Sequence, residues 1–239
     1  MSEPTNAGRR VAVVTGAGRG LGHAIAFALA DAGLHVVVAG RDQQALTRAV
    51  DEATGRGLPM TSHELDVTDA ASTARLMADV GHEHGRLDVL INNAGIAIDR
   101  DRPAHLADLE RFTATLDVNV LGALRCTTAA VPEMRKNGYG RIVNVSSHMG
   151  TMTQAGTGSA AYRVSKSALH MLTAVLAAEL AEANILVNAA SPGKVATRLA
   201  YGKAEQTPQQ ATDTFLWLAT LPDDGPTGAL FHQREPLPW

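Results

Sequence analysis

Short runs of apolar residues alternate along the chain with longer stretches in which apolar residues recur every three or four positions. The short runs predict β-strands, and the longer stretches predict amphipathic α-helices. The predicted strands cover residues 11–15, 34–39, 60–65, 87–92, 141–146, 185–190 and 229–232. The predicted helices cover residues 23–32, 43–54, 69–84, 108–136, 160–182 and 208–220.

Regular alternation of strands and helices is typical of an α/β fold. Most of the predicted strands are apolar without interruption, which favours a parallel sheet covered by helices on both faces. No internal repeat, low-complexity tract or linker interrupts the pattern. We therefore expect a single domain over residues 1–239 with a doubly wound parallel sheet of about seven strands, and a flexible N-terminus at residues 1–8.

Composition narrows the class of protein. The 239 residues are 45% hydrophobic and carry a net charge of −3 without a basic run, which argues against nucleic acid or an anionic membrane as the main partner. The one cysteine, Cys126, excludes an intramolecular disulfide framework. The N-terminus lacks a signal-peptide pattern, and no apolar run approaches the roughly 20 residues that span a bilayer. We expect a soluble, cytoplasmic protein, and we predict no metal site.

Four glycines, Gly16, Gly18, Gly20 and Gly22, lie between the first predicted strand and the first predicted helix. Glycines in this context let the backbone approach a pyrophosphate closely, and the helix start offers N–H groups to the anion. Strand, turn, helix and strand together predict a Rossmann-type unit that binds a dinucleotide. The alternative is a tight turn that holds no ligand.

The end of the second predicted strand indicates which dinucleotide is bound. Folds of this type that bind NAD usually place a carboxylate there for the ribose 2′-hydroxyl. Gly40 occupies that position and Arg41 follows it, and a guanidinium suits a 2′-phosphate. Arg19, inside the glycine turn, can approach the same phosphate. NADP(H) is favoured, while Asp42, one residue further on, leaves NAD(H) open.

A tyrosine and a lysine, Tyr162 and Lys166, lie four residues apart on the predicted helix 160–182 and share one face. A cation beside a phenol favours the phenolate and lowers the phenol pKa, so the pair can work as an acid or a base. Ser147, at the end of the preceding strand, supplies a hydroxyl for a carbonyl oxygen, and its neighbour Ser146 is assigned a structural role. Alone, this tyrosine–lysine spacing occurs by chance in many helices.

Several motifs in order make the chain similar to the short-chain dehydrogenase/reductase family over nearly its whole length. They are T-G-A-G-R-G-L-G at 15–22, D-V at 66–67, N-N-A-G at 92–95, N at 119, S-S at 146–147, Y-R-V-S-K at 162–166 and S-P-G-K-V-A-T at 191–197. The tail at 225–239 resembles the carbonyl-reductase-like branch of that family.

The resemblance implies a role for each of four catalytic residues. Tyr162 would be the general acid or base, and Ser147 would hold the substrate oxygen. Lys166 would lower the Tyr162 pKa and bind the nicotinamide ribose, while Asn119 would hold a water that links Lys166 to solvent. The residues expected to contact the cofactor are Gly16, Gly18, Arg19, Gly20, Leu21, Gly22, Arg41, Asp66, Val67, Asn93, Ala94, Gly95, Tyr162, Lys166, Pro192, Gly193, Val195 and Thr197.

The implied activity is reduction of a ketone or aldehyde to an alcohol with NADPH. An NAD-dependent alcohol dehydrogenase of the same fold is the first alternative, and a catalytically silent dinucleotide-binding sensor or scaffold is a remote one. The predicted substrate pocket consists of His148, Met149, Leu199 and Tyr201. The resemblance also implies a homodimer or homotetramer that pairs through the helices at 108–136 and 160–182.

Overall fold

The computed structural model describes residues 8–100, 102–199 and 203–239. The strands are β1 Val11–Thr15, β2 His35–Gly40, β3 Met60–Glu64, β4 Val89–Asn92, β5 Gly140–Val145, β6 Ile185–Ala190, β7 Leu230–His232 and β8 Glu235–Leu237. The helices are α1 Gly20–Asp31, α2 Gln43–Gly55, α3 Ala70–His84, α4 Leu109–Leu116, α5 Gly122–Asn137, α6 Ala160–Leu180 and α7 Asp213–Ala219. The predicted flexible N-terminus lies almost entirely outside the described residues, and the domain limits stay a prediction.

All eight strands form one sheet in the order β3-β2-β1-β4-β5-β6-β7-β8, and β1 to β7 are parallel. Alternate residues of β1 enter two hydrophobic cores. Ala12 and Val14 pack with residues of α1, α2 and α7, whereas Val11 and Val13 pack with residues of α3, α5 and α6. The predicted doubly wound parallel sheet is confirmed, because a strand buried on both faces needs helices on both sides.

The strand order reverses between β1 and β4, because the chain leaves β3 at one edge and returns to the centre. The connections after β1 and β4 therefore run to opposite faces of the sheet and leave a crevice at the carboxyl ends of the strands. Ligands of doubly wound sheets bind at this point.

An eighth strand was not predicted. β8 pairs antiparallel with β7, and the two residues between them, Gln233 and Arg234, have φ of +51° and +64°. Turns of this kind usually contain asparagine, aspartate or glycine, so the sequence carried no signal for the hairpin. Pro236 fits β8 because an edge strand can lack a main-chain donor.

Three predicted helices differ from those observed. The stretch at 108–136 is two helices, α4 and α5, joined by a π-helical segment at Asp117–Leu121. Helix α1 begins at Gly20 rather than at residue 23, and α7 is shorter than the predicted 208–220. Amphipathic periodicity does not reveal where a helix changes its hydrogen-bond pattern, which explains the missed π segment.

Helix α6 is more apolar than the sequence expectation allowed. With the short turn that follows it, Ala160–Ala183 is long and apolar enough to cross a membrane by length and composition, so the expectation that no such run exists is wrong. Core helices pass the same criterion. Here the inner face buries Lys166 and His170 and packs on β6, which assigns α6 to the core.

Candidate active site

A cleft of about 1230 Å³ opens at the carboxyl ends of the parallel strands. The predicted cofactor contacts all line this cleft, as do Ser147, His148, Met149 and Leu199. Asn119 is buried behind its wall, and the predicted pocket residue Tyr201 lies outside the described residues. The fold thus brings together side chains that are separated by more than 170 positions in the sequence, from Gly16 to Leu199.

The glycine turn after β1 is bonded directly to the loop after β4. The hydroxyl oxygen of Thr15 accepts the main-chain N–H groups of Asn93 at 3.0 Å and Ala94 at 2.9 Å. In return, the Asn93 amide donates to the carbonyl oxygens of Thr15 at 2.8 Å and Gly16 at 3.1 Å. These four bonds make the two loops one unit, so Asn93 is a structural residue of the cleft as well as a predicted cofactor contact.

Two of the glycines are required by this close approach. Gly16 has φ of +64°, and a Cβ there would lie 3.0 Å from the Ala94 Cα. A Cβ on Gly22 would lie 2.3 Å from the Asn93 amide nitrogen, which is closer than real contacts allow. Glycine is therefore needed at these positions by the protein's own packing, beyond the access to phosphate that the sequence indicated.

The start of helix α1 fits a diphosphate. The helix begins at Gly20, and Arg19 at its N-cap position makes no side-chain capping bond. The first N–H groups of a helix have no partner within the helix, and they carry the positive end of its dipole. Since Gly18, Gly20 and Leu21 line the cleft, these donors are placed where an anionic group of a dinucleotide can bind.

Charged residues after β2 and β3 lie at the other end of the same cleft. The Arg41 side chain is 75% exposed, and its guanidinium lies 4.0 Å from the Asp66 carboxylate. The hydroxyl of Thr68 and its main-chain N–H donate to Asp66, and these bonds lower the Asp66 pKa. Asp42 caps α2 by accepting the Ala45 N–H at 3.0 Å. Asp42 is the carboxylate that kept NAD(H) as an alternative cofactor in the sequence analysis, and it is engaged as a helix cap.

Tyr162 and Lys166 lie on the face of α6 that borders the cleft. Lys166 is buried, its ammonium nitrogen donates to the Val145 carbonyl oxygen at 2.7 Å, and burial lowers the Lys166 pKa to about 8. The same nitrogen lies 5.6 Å from the centre of the Tyr162 ring.

The Ser147 hydroxyl oxygen accepts the Met149 N–H at 3.1 Å, which leaves the Ser147 hydroxyl proton for another acceptor.

Asn119 lies in the π segment, with its side chain held on both sides. Its amide nitrogen donates to the Ile96 carbonyl at 2.9 Å and to the Ser165 hydroxyl at 3.0 Å, and its oxygen accepts the Ile96 N–H at 2.8 Å. Both amide hydrogens are therefore used. Any water bound at Asn119 must donate to it, either through the second lone pair of the side-chain oxygen or through a main-chain carbonyl.

Asp99 holds the start of α6 and was missed by the sequence analysis. Its carboxylate accepts the Ala161 N–H at 2.6 Å, while Ser159 at the N-cap position has φ of +55° and makes no capping bond. A cap supplied by a loop 62 residues away leaves no local sequence signal. The loop after β4, which already carries Asn93 and Ala94, thus also positions the helix that carries Tyr162.

His148 belongs to a small polar cluster beside the cleft. Its main-chain N–H and its Nδ1 lie 3.2 Å and 2.9 Å from the Ser191 hydroxyl oxygen. His232 lies edge-on to the His148 ring and contacts the Ser191 carbonyl oxygen. The His148 pKa is lowered, first by burial and then by electrostatic interactions with His232 and Lys194. The cluster ties the start of the loop at 191–197 to the residue that follows Ser147.

Ser146 contacts a buried histidine rather than the cleft's polar residues. Its hydroxyl lies 2.7 Å from the His170 Nε2, on the inner face of α6. Burial, followed by the nearby charge of Lys166, lowers the His170 pKa to about 4, so this histidine is neutral at pH 7. This bond supports the structural role that we predicted for Ser146, although Ser146 also lines the cleft.

The loops after β4, β5 and β6 add residues to the cleft lining that the sequence did not indicate. Loops have no periodicity from which a facing side chain can be read. These residues are Ile96, Ile98, Arg100, Gln154 and Arg198. Within the described residues, no group of three or more histidine, cysteine, aspartate or glutamate side chains is arranged to hold a metal ion.

The sequence model of the family described as short chain dehydrogenase matches residues 10–208. The chain belongs to the short-chain dehydrogenase/reductase family. Members of this family are oxidoreductases that use nicotinamide dinucleotides and act on small molecules. The family resemblance read from the motifs is therefore confirmed.

Individual relatives agree with this assignment. Short-chain reductase protein NovJ from Streptomyces niveus is 39% identical over 199 residues, which are 82% of this chain and 73% of that protein. Dehydrogenase/reductase SDR family member 4 from Bos taurus is 43% identical over 192 residues, which are 79% of this chain and 66%, just under two thirds, of that protein.

Solved structures show the same fold. The crystal structure of gox2181 is 30% identical and superposes with a TM-score of 0.86 over 93% of each chain. A short-chain type dehydrogenase/reductase from Mycobacterium marinum is also 30% identical, with a TM-score of 0.85 over 92% of each chain.

Proposed function

We propose that this protein reduces a ketone or aldehyde to an alcohol with NADPH. The observation that carries the proposal is the shared cleft: Ser147, Tyr162 and Lys166 line the same space as the uncapped start of α1. One end of the cleft can therefore hold the diphosphate of a dinucleotide while the other presents an acid to a substrate. NovJ, one of the relatives, is named as a reductase, which supports reduction as the direction of the reaction.

Each polar side chain has a separate task in this proposal. When bound, the nicotinamide supplies the hydride. The Ser147 hydroxyl donates to the carbonyl oxygen, and Tyr162 donates a proton to the same atom as negative charge develops there. The Lys166 ammonium, held in place by its bond to Val145, stabilises the phenolate that is left behind. Asn119 holds the loop and the helix together and can accept a bond from a water that returns the proton.

Preference for NADPH over NADH is supported by the charges after β2. Gly40 ends the strand without a carboxylate, and Arg41 lines the cleft with most of its side chain exposed. Asp42, the residue after Arg41, is engaged as the cap of α2, and Asp66 lies 4.0 Å from the Arg41 guanidinium. Arg19, at the helix start, supplies a second cation on the same wall.

Replacing Arg41 by serine tests this preference. We expect kcat/KM for NADPH to fall on the order of tenfold or more, since a charge-assisted contact to the 2′-phosphate is lost, while kcat/KM for NADH changes by less than about twofold. Arg48→Ser is the matched control, because Arg48 lies on the exposed face of α2 and is not a lining residue. A native enzyme that turns over faster with NADH would favour the NAD-dependent alcohol dehydrogenase instead.

A catalytically silent sensor or scaffold is disfavoured by the intact site. Ser147, Tyr162 and Lys166 all line the cleft, and Asn119 is held by hydrogen bonds behind it. A binding module has no need to keep a buried lysine whose pKa is depressed to about 8. NADPH binding without oxidation of NADPH on any member of a broad carbonyl panel would restore this alternative.

Homodimer or homotetramer formation is part of the proposal. Val164, Met171 and Val175 recur at helical spacing on α6 and are 46%, 66% and 42% exposed, and Leu121 beside α5 is 44% exposed. An apolar face of this kind is typical of an interface between copies. Light scattering should therefore give a mass above that of one chain, and Met171→Glu should reduce that mass.

We also propose that the protein acts in the cytoplasm, because NADPH is an intracellular reductant.

A further inference from the structure

The loop at residues 148–158, which leads from β5 to α6, is held by an arginine that the proposed reaction does not use. This residue, Arg163, directly follows the catalytic tyrosine on α6. Its Nε donates to the Gly158 carbonyl oxygen at 3.1 Å, and its Nη1 donates to the carbonyl oxygens of Gln154 at 2.7 Å and Met149 at 3.4 Å. A single guanidinium therefore binds three main-chain carbonyls that span the loop from its start to its end.

Helix α6 contacts the same loop at a second point, Gly150. The Ser167 hydroxyl, one helical turn after Arg163, donates to the Gly150 carbonyl oxygen at 2.6 Å. A Cβ on Gly150 would lie 2.6 Å from the Lys166 Cβ, so the main chain of the loop packs directly against the helix beside the catalytic lysine. The loop is thus fixed to α6 by main-chain contacts on both sides of Gly150.

Met149 connects this anchoring to the catalytic serine. Its carbonyl oxygen accepts from Arg163, and its N–H donates to the Ser147 hydroxyl oxygen at 3.1 Å. The N–H occupies one lone pair of that oxygen, which restricts the directions in which the Ser147 proton can point. Met149 and Gln154 also line the cleft, so the same anchoring fixes part of the cleft wall.

We propose that Arg163 is a positioning residue of the reduction: it holds the loop so that the Ser147 hydroxyl faces the substrate carbonyl. Arg163 does not line the cleft, and it acts through Met149 rather than on the substrate. Small displacements of a group that contacts the reacting atoms are costly in rate, which gives a residue behind the site a large effect. This inference rests on the proposed reductase activity.

The first test is Arg163→Ala, assayed with NADPH and the carbonyl substrate that the native protein reduces fastest. We expect kcat/KM for the carbonyl to fall by about tenfold or more, and Kd for NADPH to stay within about twofold of the native value. Arg75→Ala, on the exposed face of α3, is the control and should keep native kinetics. An alanine variant with native kcat/KM would overturn the inference and leave the reductase proposal standing. Native protein that reduces no carbonyl would sink the reductase proposal and the inference with it.

A double-mutant cycle separates positioning of Ser147 from general loss of structure. In a Ser147→Ala background there is no hydroxyl left to orient, so adding Arg163→Ala should change the single-turnover rate by less than about twofold. The same fold-loss in both backgrounds would contradict the assignment.

Arg163→Lys provides a milder substitution for the same cycle. One ammonium lacks the planar fork that reaches several carbonyls, so the lysine variant should recover only part of the native rate. If Arg163→Ala fails to bind NADPH, the lysine variant replaces it in the cycle. Its loss of rate should again disappear in the Ser147→Ala background, and a loss that persists there would refute the proposal.

Discussion

The Lys166 ammonium donates to the main-chain carbonyl oxygen of Val145, the last residue of β5, at a nitrogen–oxygen distance of 2.7 Å. This bond joins the helix that carries Tyr162 to the strand that leads to Ser147. Because the lysine is buried, the bond also holds its charge within reach of the phenol, 5.6 Å from the ring centre. A single side chain therefore links the elements that carry Tyr162 and Ser147 and supplies positive charge beside the phenol.

The buried lysine should make stability depend on pH above neutrality. Its pKa is about 8 in the folded protein and near 10.5 in the unfolded chain. Between these values the unfolded chain binds more protons, so the free energy of unfolding should rise as pH increases from 8 towards 10.5. Lys166→Met should lack this rise while losing activity. The measurement is urea unfolding of both proteins at pH 8 and pH 10, and an equal change in the two would contradict the effect.

The Thr15 hydroxyl should contribute both to the stability of the fold and to cofactor affinity. Thr15→Val leaves the Ala94 N–H without its acceptor and leaves the Asn93 N–H with the Ile91 carbonyl oxygen alone, which should cost on the order of 2 kcal/mol in the free energy of unfolding. It should also raise KM for NADPH, because the glycine turn loses its link to the loop after β4. Thr15→Ser keeps the oxygen and is the matched control. Urea midpoints and cofactor titration measure the two effects, and a valine variant that equals the serine variant would refute the role.

The cap of α6 makes a third prediction. Asp99→Ala removes the acceptor of the Ala161 N–H, and loss of a helix cap typically costs about 1 kcal/mol. Since Tyr162 follows Ala161, kcat should fall as well, with little change in cofactor affinity. Asp99→Asn retains an acceptor oxygen and should keep most of the activity. If the alanine variant shows the stability and kcat of the asparagine variant, the carboxylate does not position the helix.

Local patterns were enough to predict the sheet and most of the cleft. The apolar runs identified seven strands because strands in the middle of a parallel sheet are buried on both faces, and the glycine turn lay where a strand meets a helix. The hairpin at Gln233 and Arg234 was not predictable, because its two left-handed residues are types that seldom adopt that conformation.

Contacts between distant residues account for the rest. The cap that Asp99 provides for α6, the bonds of Asn119 to Ile96 and the reach of Arg100 to the Arg198 carbonyl each join segments far apart in sequence. None of them changes the periodicity or the composition of the segments involved. These contacts therefore became visible only when the segments that they join were placed side by side.

Tyr162→Phe tests the central claim most directly. The substitution removes one oxygen atom and the proton that it donates, while the ring and its packing remain. With the carbonyl substrate that gives the fastest NADPH oxidation, the account predicts a fall in single-turnover rate of about 10²-fold or more, and NADPH affinity within about twofold of the native value. A phenylalanine variant that reduces the substrate at the native rate would contradict the mechanism.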